Sequence, residues 1–443
     1  MRNRQAFLKI ALFVLLVLVI KIAIALQFSG PQVIPDESCV ILKAKALISM
    51  GELLSCNNLF GRLTGNPFPL YSIVIAPLYI FLKGLSFYYA ILILNAFLVT
   101  SLIFPLKKIL ENTFENKKNI LIIIFIVLFA PQILIFGNLG MTETLFTVLN
   151  IWGLYFYINS FYVNKTRNKI ISIIFAILAA FTRPFGFVVL MAIAVNEFVI
   201  NKRKKLFGLI AIMLVIFISL SINSFLPSIF PTLLTKIESL NTAEHLIYLV
   251  KAFVNQTMSM VWATYLVPLV LFIYQIFTSK NEGFKKIRFY LIFLNLSIFL
   301  LSFQHLYGYF IEGLPASIST RYINLPITFT ILFGLHCLNE KEKFKLNVKS
   351  LLIISVFVLL MIFTPKVDFS NGITLIFSNY LFTSKIIGYF LIIATILVAG
   401  LVLNKKRAVL ISLTMLFFTQ SALTTYGLYV DSAMGNKKLM LPY

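Results

Sequence analysis

Acidic residues are scarce in this 443-residue chain, with 15 Asp+Glu against 38 Lys+Arg. Cysteine, histidine and tryptophan are scarcer still, at 3, 3 and 2. Three cysteines exclude a disulfide scaffold or a thiolate metal cluster, and the histidines show no zinc-ligand spacing. No polar block is long enough to fold as a separate soluble domain, and no repeat of solenoid length recurs. The formal net charge of +23 would suit a nucleic-acid partner. The basic residues instead fall in short connections between apolar runs, the pattern of cytoplasmic loops in membrane proteins, so no nucleic-acid partner is expected.

What the chain does contain is hydrocarbon. It is 60% hydrophobic with a mean hydropathy of +0.96. Its apolar runs suit a bilayer of roughly 30 Å, so the fold class expected is an all-α polytopic membrane protein. The apolar run 6–26 follows Met1-Arg2-Asn3-Arg4. It is too long for a signal-peptide core and reads as a retained first span, with Lys21 snorkelling towards the interface. Basic loops around Lys107–Lys118, Lys165–Lys169, Lys202–Lys205, Lys280–Arg288, Lys341–Lys349 and Lys405–Arg407 are assigned to the cytoplasm with the N-terminus.

That parity gives about thirteen spans. They lie near 6–28, 86–106, 119–137, 144–162, 170–182, 184–200, 206–224, 261–278, 288–303, 322–338, 350–364, 385–403 and 408–426. The first outer loop, 29–85, is expected to carry two interfacial helices. One covers 40–54, with Lys43 and Lys45 on its polar side; the other begins at the Pro-rich stretch 67–71. The outer face would also hold 138–143, Arg183, the loop 225–260, the segment 305–321, the loop 364–384 and the C-terminus.

On that face Asp36-Glu37 has no lysine or arginine within five residues. Charge beside hydrocarbon is costly unless hydrated, paired or used. Glu143, Arg183 and Arg321 share the same predicted level. A carboxylate can activate a hydroxyl, and arginine grips phosphate bidentately. The set suits reaction between a hydroxyl acceptor and a lipid-linked phosphate donor. Bland readings compete: a hydrated turn or helix cap for Asp36-Glu37, a helix-dipole acid for Glu143, snorkelling anchors for the arginines.

Four segments occur in order: Pro35-Asp36-Glu37; Asn66-Pro67-Phe68-Pro69-Leu70-Tyr71 with Ala76-Pro77-Leu78-Tyr79; Gly140-Met141-Thr142-Glu143-Thr144; and Thr182-Arg183-Pro184-Phe185-Gly186. Together they resemble the integral-membrane GT-C glycosyltransferases, the superfamily of protein O-mannosyltransferases and the lipid A aminoarabinose transferase, over roughly residues 1–340. The resemblance implies a polyprenyl-phosphate sugar donor, an extracytoplasmic site and an inverting displacement. It implies Asp36 as catalytic base, with Glu37 and Glu143 as acceptor contact or second acid. Where some relatives carry a lysine, this chain has Asn66, so the donor phosphate falls to Arg183, Arg321 or Arg62. Tyr71, Tyr79, His305 and Tyr322 are candidate sugar neighbours, with Tyr307 beside them; His245 is a candidate acceptor contact. The acceptor is a glycan, lipid or protein, and a divalent metal is left open.

Residues 341–443 carry no matching motif. A transporter or flippase of lipid-linked sugars and a polysaccharide polymerase or ligase are the alternatives. Cys39 and Cys56 both fall in the first outer loop, where a bridge would form only in an oxidising compartment.

Overall fold

The computed structural model describes residues 2–28, 30, 35–51, 69–117, 119–201, 241–264, 266–311, 323–338, 409 and 413–414. Among them every regular element is a helix. The expected spans 206–224, 350–364 and 385–403 lie outside the described residues, as does nearly all of 341–443.

In chain order the helices are α1 Arg2–Ala25, α2 Pro35–Met50, α3 Leu70–Phe81, α4 Gly84–Ser101, α5 Ile103–Thr113, α6 Ile120–Leu128, α7 Pro131–Gly137, α8 Thr142–Asn159, α9 Lys165–Ala180, α10 Gly186–Asn201, α11 Thr242–Thr264, α12 Val267–Thr278, α13 Glu282–Lys285, α14 Arg288–Ile311 and α15 Asn324–Cys337. Two are long and apolar enough to cross a membrane: Phe7–Ala25, and the nearly continuous Gly84–Thr113. Leu70–Phe81, Gly186–Ile200, Val267–Thr278, Arg288–Phe303 and Asn324–Cys337 are shorter apolar helices.

The described residues divide into two compact units. The first takes Met1–Leu110 and Ile124–Gly186; the second takes Glu111–Ile123 and Phe187–Leu416. The division at Gly186 falls inside the expected 1–340 module.

In the first unit α1 packs on α4, α2 on α3, and α8 on both α4 and α9. Pro35 opens α2, where a missing N–H is harmless, and Gly51 ends it at φ 71°, a conformation glycine adopts without strain. The segment expected as one span over 119–137 is broken at Phe129-Ala130, because Pro131 cannot continue the helix but suits the first position of α7. Helices α8 and α9 form a hairpin in which the Ser172 hydroxyl donates to the Gly153 carbonyl at 2.8 Å. At Gly186 an added Cβ would stand 2.2 Å from the Ala180 nitrogen, so only glycine lets α10 begin this close to the end of α9.

Two lysines differ from expectation. Lys21 does not snorkel: it is 2% exposed and donates to the Leu128 carbonyl at 2.8 Å, with its ammonium 4.8 Å from the centre of the Phe129 ring. The buried C-terminal end of α6, whose last carbonyls lack intrahelical partners, offers a buried cation better company than a long reach to water. Lys43 is likewise buried, not on a polar face. Burial pushes its ammonium below the ordinary lysine value.

In the second unit the expected outer loop 225–260 is helical from Thr242, and the expected span 261–278 is broken between α11 and α12. The segment from 305 continues helical to Ile311. The Asn196 amide donates to the Lys286 carbonyl at 2.8 Å and accepts from the Tyr290 N–H at 3.0 Å, tying α10 to the start of α14. His336 is packed, stacked on Phe114 at 3.9 Å with Nε2 3.0 Å from the Asn116 carbonyl.

Candidate functional site

The loop between α7 and α8, Asn138-Leu139-Gly140-Met141, is buried throughout. Buried backbone polar groups need partners, and here two come from side chains far away in sequence. The Leu139 carbonyl accepts from the Asn95 amide of α4 at 2.8 Å. The Gly140 N–H donates to Glu37 Oε1 of α2 at 2.6 Å. An added Cβ at Gly140 would lie 3.2 Å from that same oxygen, so glycine permits the carboxylate its close approach.

Glu37 is fully buried and also accepts from the Tyr88 hydroxyl at 3.1 Å. It is not the hydrated turn or exposed acceptor contact that sequence alone allows; it fastens the first turn of α2 to α4 and to the 138–141 loop. Asp36 adjoins it in that turn. The structure describes Asp36 through its backbone alone.

Tyr71 closes the arrangement from α3. Its hydroxyl donates to Asn95 Oδ1 at 2.8 Å. One amide therefore reads Tyr71 with its oxygen and the Leu139 carbonyl with its nitrogen. Burial pushes the Tyr71 phenol well above its ordinary range; the Asn95 bond opposes the shift, while the charges of Glu37 and Glu143 add to it. Both carboxylates thus lie within electrostatic reach of one hydroxyl.

Glu143 stands in the first turn of α8, where the helix N-terminus favours an acid. Its Oε1 lies 2.6 Å from Arg183 Nη1, with side-chain exposures of 1% and 7%. The Thr142 hydroxyl donates to Glu143 Oε2 at 3.3 Å. Arg183 sits in the turn between α9 and α10, its guanidinium 5.8 Å from the centre of the Phe185 ring. The Leu70 N–H donates to the Phe181 carbonyl at 3.3 Å, joining the start of α3 to the same turn. Arg183 is therefore charge-balanced by Glu143.

Tyr79 is half-buried two turns further along α3, away from this cluster. His305 is described by its backbone alone, within α14. Tyr307, in the same helix, lies 2.6 Å from His245 Nδ1 through its hydroxyl, so these two candidates, both expected in outer loops, meet each other from helices. Arg62, Arg321 and Tyr322 lie outside the described residues. Among the described residues no three His, Cys, Asp or Glu side chains gather as a metal site. Cys39 is disulfide-bonded, while Cys56 lies outside the described residues.

Sequence reasoning missed Asn95 and Tyr88. Asn95 had a signal: a lone amide in the apolar run 84–101, where an unpaired polar group would be costly. Tyr88 had none, standing among many aromatic residues. No protein-family description, curated protein or solved structure matches this chain.

Proposed function

We propose that the chain is a GT-C-type membrane glycosyltransferase that moves a sugar from a polyprenyl-phosphate donor to an acceptor hydroxyl on the extracytoplasmic face. One observation carries the reading. Four segments scattered from residue 35 to residue 186 meet through Glu37–Gly140, Tyr71–Asn95–Leu139 and Glu143–Arg183 in a single unit. Apolar helices seldom bury this many polar groups except where they hold a working geometry.

In this reading Asp36 is the base, positioned by its neighbour Glu37. It takes the acceptor proton as the hydroxyl oxygen attacks the anomeric carbon. The bond from that carbon to the phosphate oxygen breaks, and polyprenyl phosphate departs with the bonding pair. One displacement inverts the anomeric centre and needs no covalent sugar intermediate. Stabilisation of the leaving phosphate falls to Arg321 or Arg62, since Arg183 is engaged by Glu143. The full chain then folds as a helical bundle of about thirteen spans with the first outer loop at 29–85. The disulfide at Cys39 supports an oxidising compartment for that loop.

A second reading, transport of lipid-linked sugars, draws on charge buried within apolar helices: Lys21 in α1 and Glu197 in α10 are nearly inaccessible. Purified full-length protein in lipid nanodiscs, given polyprenyl-phosphate sugars and a mixture of glycan, lipid and peptide acceptors, separates the two. Transfer releases polyprenyl phosphate and a glycosylated acceptor. In sealed vesicles, donor movement between leaflets with no release would replace the transferase reading with the transporter one.

A further inference from the structure

The far ends of α2 and α3 carry a second feature, remote from the Glu37 cluster. The two helices run side by side in the same direction, with the Ser72 hydroxyl donating to the Val40 carbonyl at 3.1 Å near their starts. Towards their ends Tyr79 meets two lysines. The Lys83 ammonium lies 3.4 Å from the ring centre and the Lys45 ammonium 5.9 Å from it. Phe87 packs its edge against the same ring at 5.2 Å.

Two ammonium groups beside one ring repel each other, and the ring's negative face offsets only part of that. Among the described residues no carboxylate is paired with Lys45 or Lys83. The pair is thus poised for an anion.

The adjoining surface of α3 specifies what kind. Ile73, Val74, Ile80 and Phe81 are exposed large hydrophobics, Phe81 at 83%. With Pro77 their spacing follows one helical face. Tyr71, Ser72, Ile75 and Ala76 form the buried face. A short apolar helix with one face packed, the other face bare and lysines at one end suits contact with lipid.

We propose that Lys45, Tyr79 and Lys83 bind the phosphate of an anionic membrane lipid, whose acyl chains cover the apolar face of α3. Tyr79 lies eight residues beyond Tyr71, about 12 Å along the helix. The bound phosphate therefore belongs to a resident lipid that seats α3 and α2, not to a group reacting beside Glu37. The inference requires a bilayer-facing α3 but no transferase activity.

Delipidated full-length protein is titrated with phosphatidylglycerol or phosphatidylcholine and examined by native mass spectrometry. Wild type should retain phosphatidylglycerol preferentially. Lys45→Ala/Lys83→Ala should weaken that retention roughly 30-fold, at about 1 kcal/mol per lysine, with phosphatidylcholine unaffected. Lys45→Arg/Lys83→Arg should keep it. If the double alanine variant misfolds, Lys83→Gln alone, at an exposed position, should weaken retention about fivefold. Equal binding of the two lipids by wild type would overturn the proposal, as would undiminished binding by the variants. Displacement by glycerol phosphate or inorganic phosphate at matching concentration would overturn the assignment to a lipid.

Discussion

Replacing Arg183 with methionine strips the cation from a pair whose charged atoms lie 2.6 Å apart with almost no water access. At that separation the attraction is about 6 kcal/mol for an effective dielectric constant of about 20. Much of it is offset by the desolvation of both ions. Removing one partner leaves the other buried and uncompensated, which typically costs about 3–5 kcal/mol. Glu143→Leu should cost a similar amount. The double variant Glu143→Leu/Arg183→Met removes both charges, so its loss should fall well below the sum of the single losses. Unfolding of the full chain in mixed micelles by SDS titration supplies the cycle. The pair should also be insensitive to salt, because it is shielded from the ions that screen exposed charges. Additive losses, or a marked dependence on ionic strength, would refute the account of a closed buried pair at the start of α8.

Two glycine substitutions should differ sharply. Gly140→Ala needs Glu37 to yield a few tenths of an ångström and should cost about 1 kcal/mol, whereas Gly186→Ala meets backbone at 2.2 Å and should cost several times more; equal thermal shifts would contradict the two geometries. Tyr71 gives a test in pH. Its folded value is raised above the ordinary phenol value of about 10, so its contribution is complete below that pH and lost as pH rises through the folded value. Tyr71→Phe should lower stability near neutrality by about 1–3 kcal/mol, through the lost donor to Asn95, and should lack this share of the alkaline loss. An unchanged alkaline limb in the variant would show that Tyr71 does not carry it.

Much of the first unit was legible before any coordinates. Apolar run lengths indicated helices, the spans 170–182 and 184–200 left Arg183 between them, and the Pro-rich start of the 67–84 stretch indicated a short helix rather than a span. Pro131 carried an equally plain signal for the break before α7, but the apolar residues on both sides of it read as one continuous run. Lys21 and Lys43 were misplaced for a different reason. The apolar patterning of a helix indicates which face dislikes water, not which neighbour covers the other face. The carbonyl of Leu128 that receives Lys21 lies 107 residues away.

The pairing of Glu143 with Arg183 was hidden in the same way. Sequence put both at one membrane level as separate groups, one for acceptor and one for phosphate. Only tertiary packing brings them within 2.6 Å. Glu37 was legible as unusual and illegible as buried, since its partners are a tyrosine of α4 and a backbone N–H supplied by a glycine 103 residues on.

The most direct test of the central proposal is the rate of polyprenyl-phosphate release by Asp36→Asn in full-length, folded protein supplied with donor and acceptor. A general base typically contributes about 10²–10⁴-fold, so release should fall by that factor while donor binding persists. Release at the wild-type rate would contradict Asp36 as the base, and with it the reaction assigned to this site.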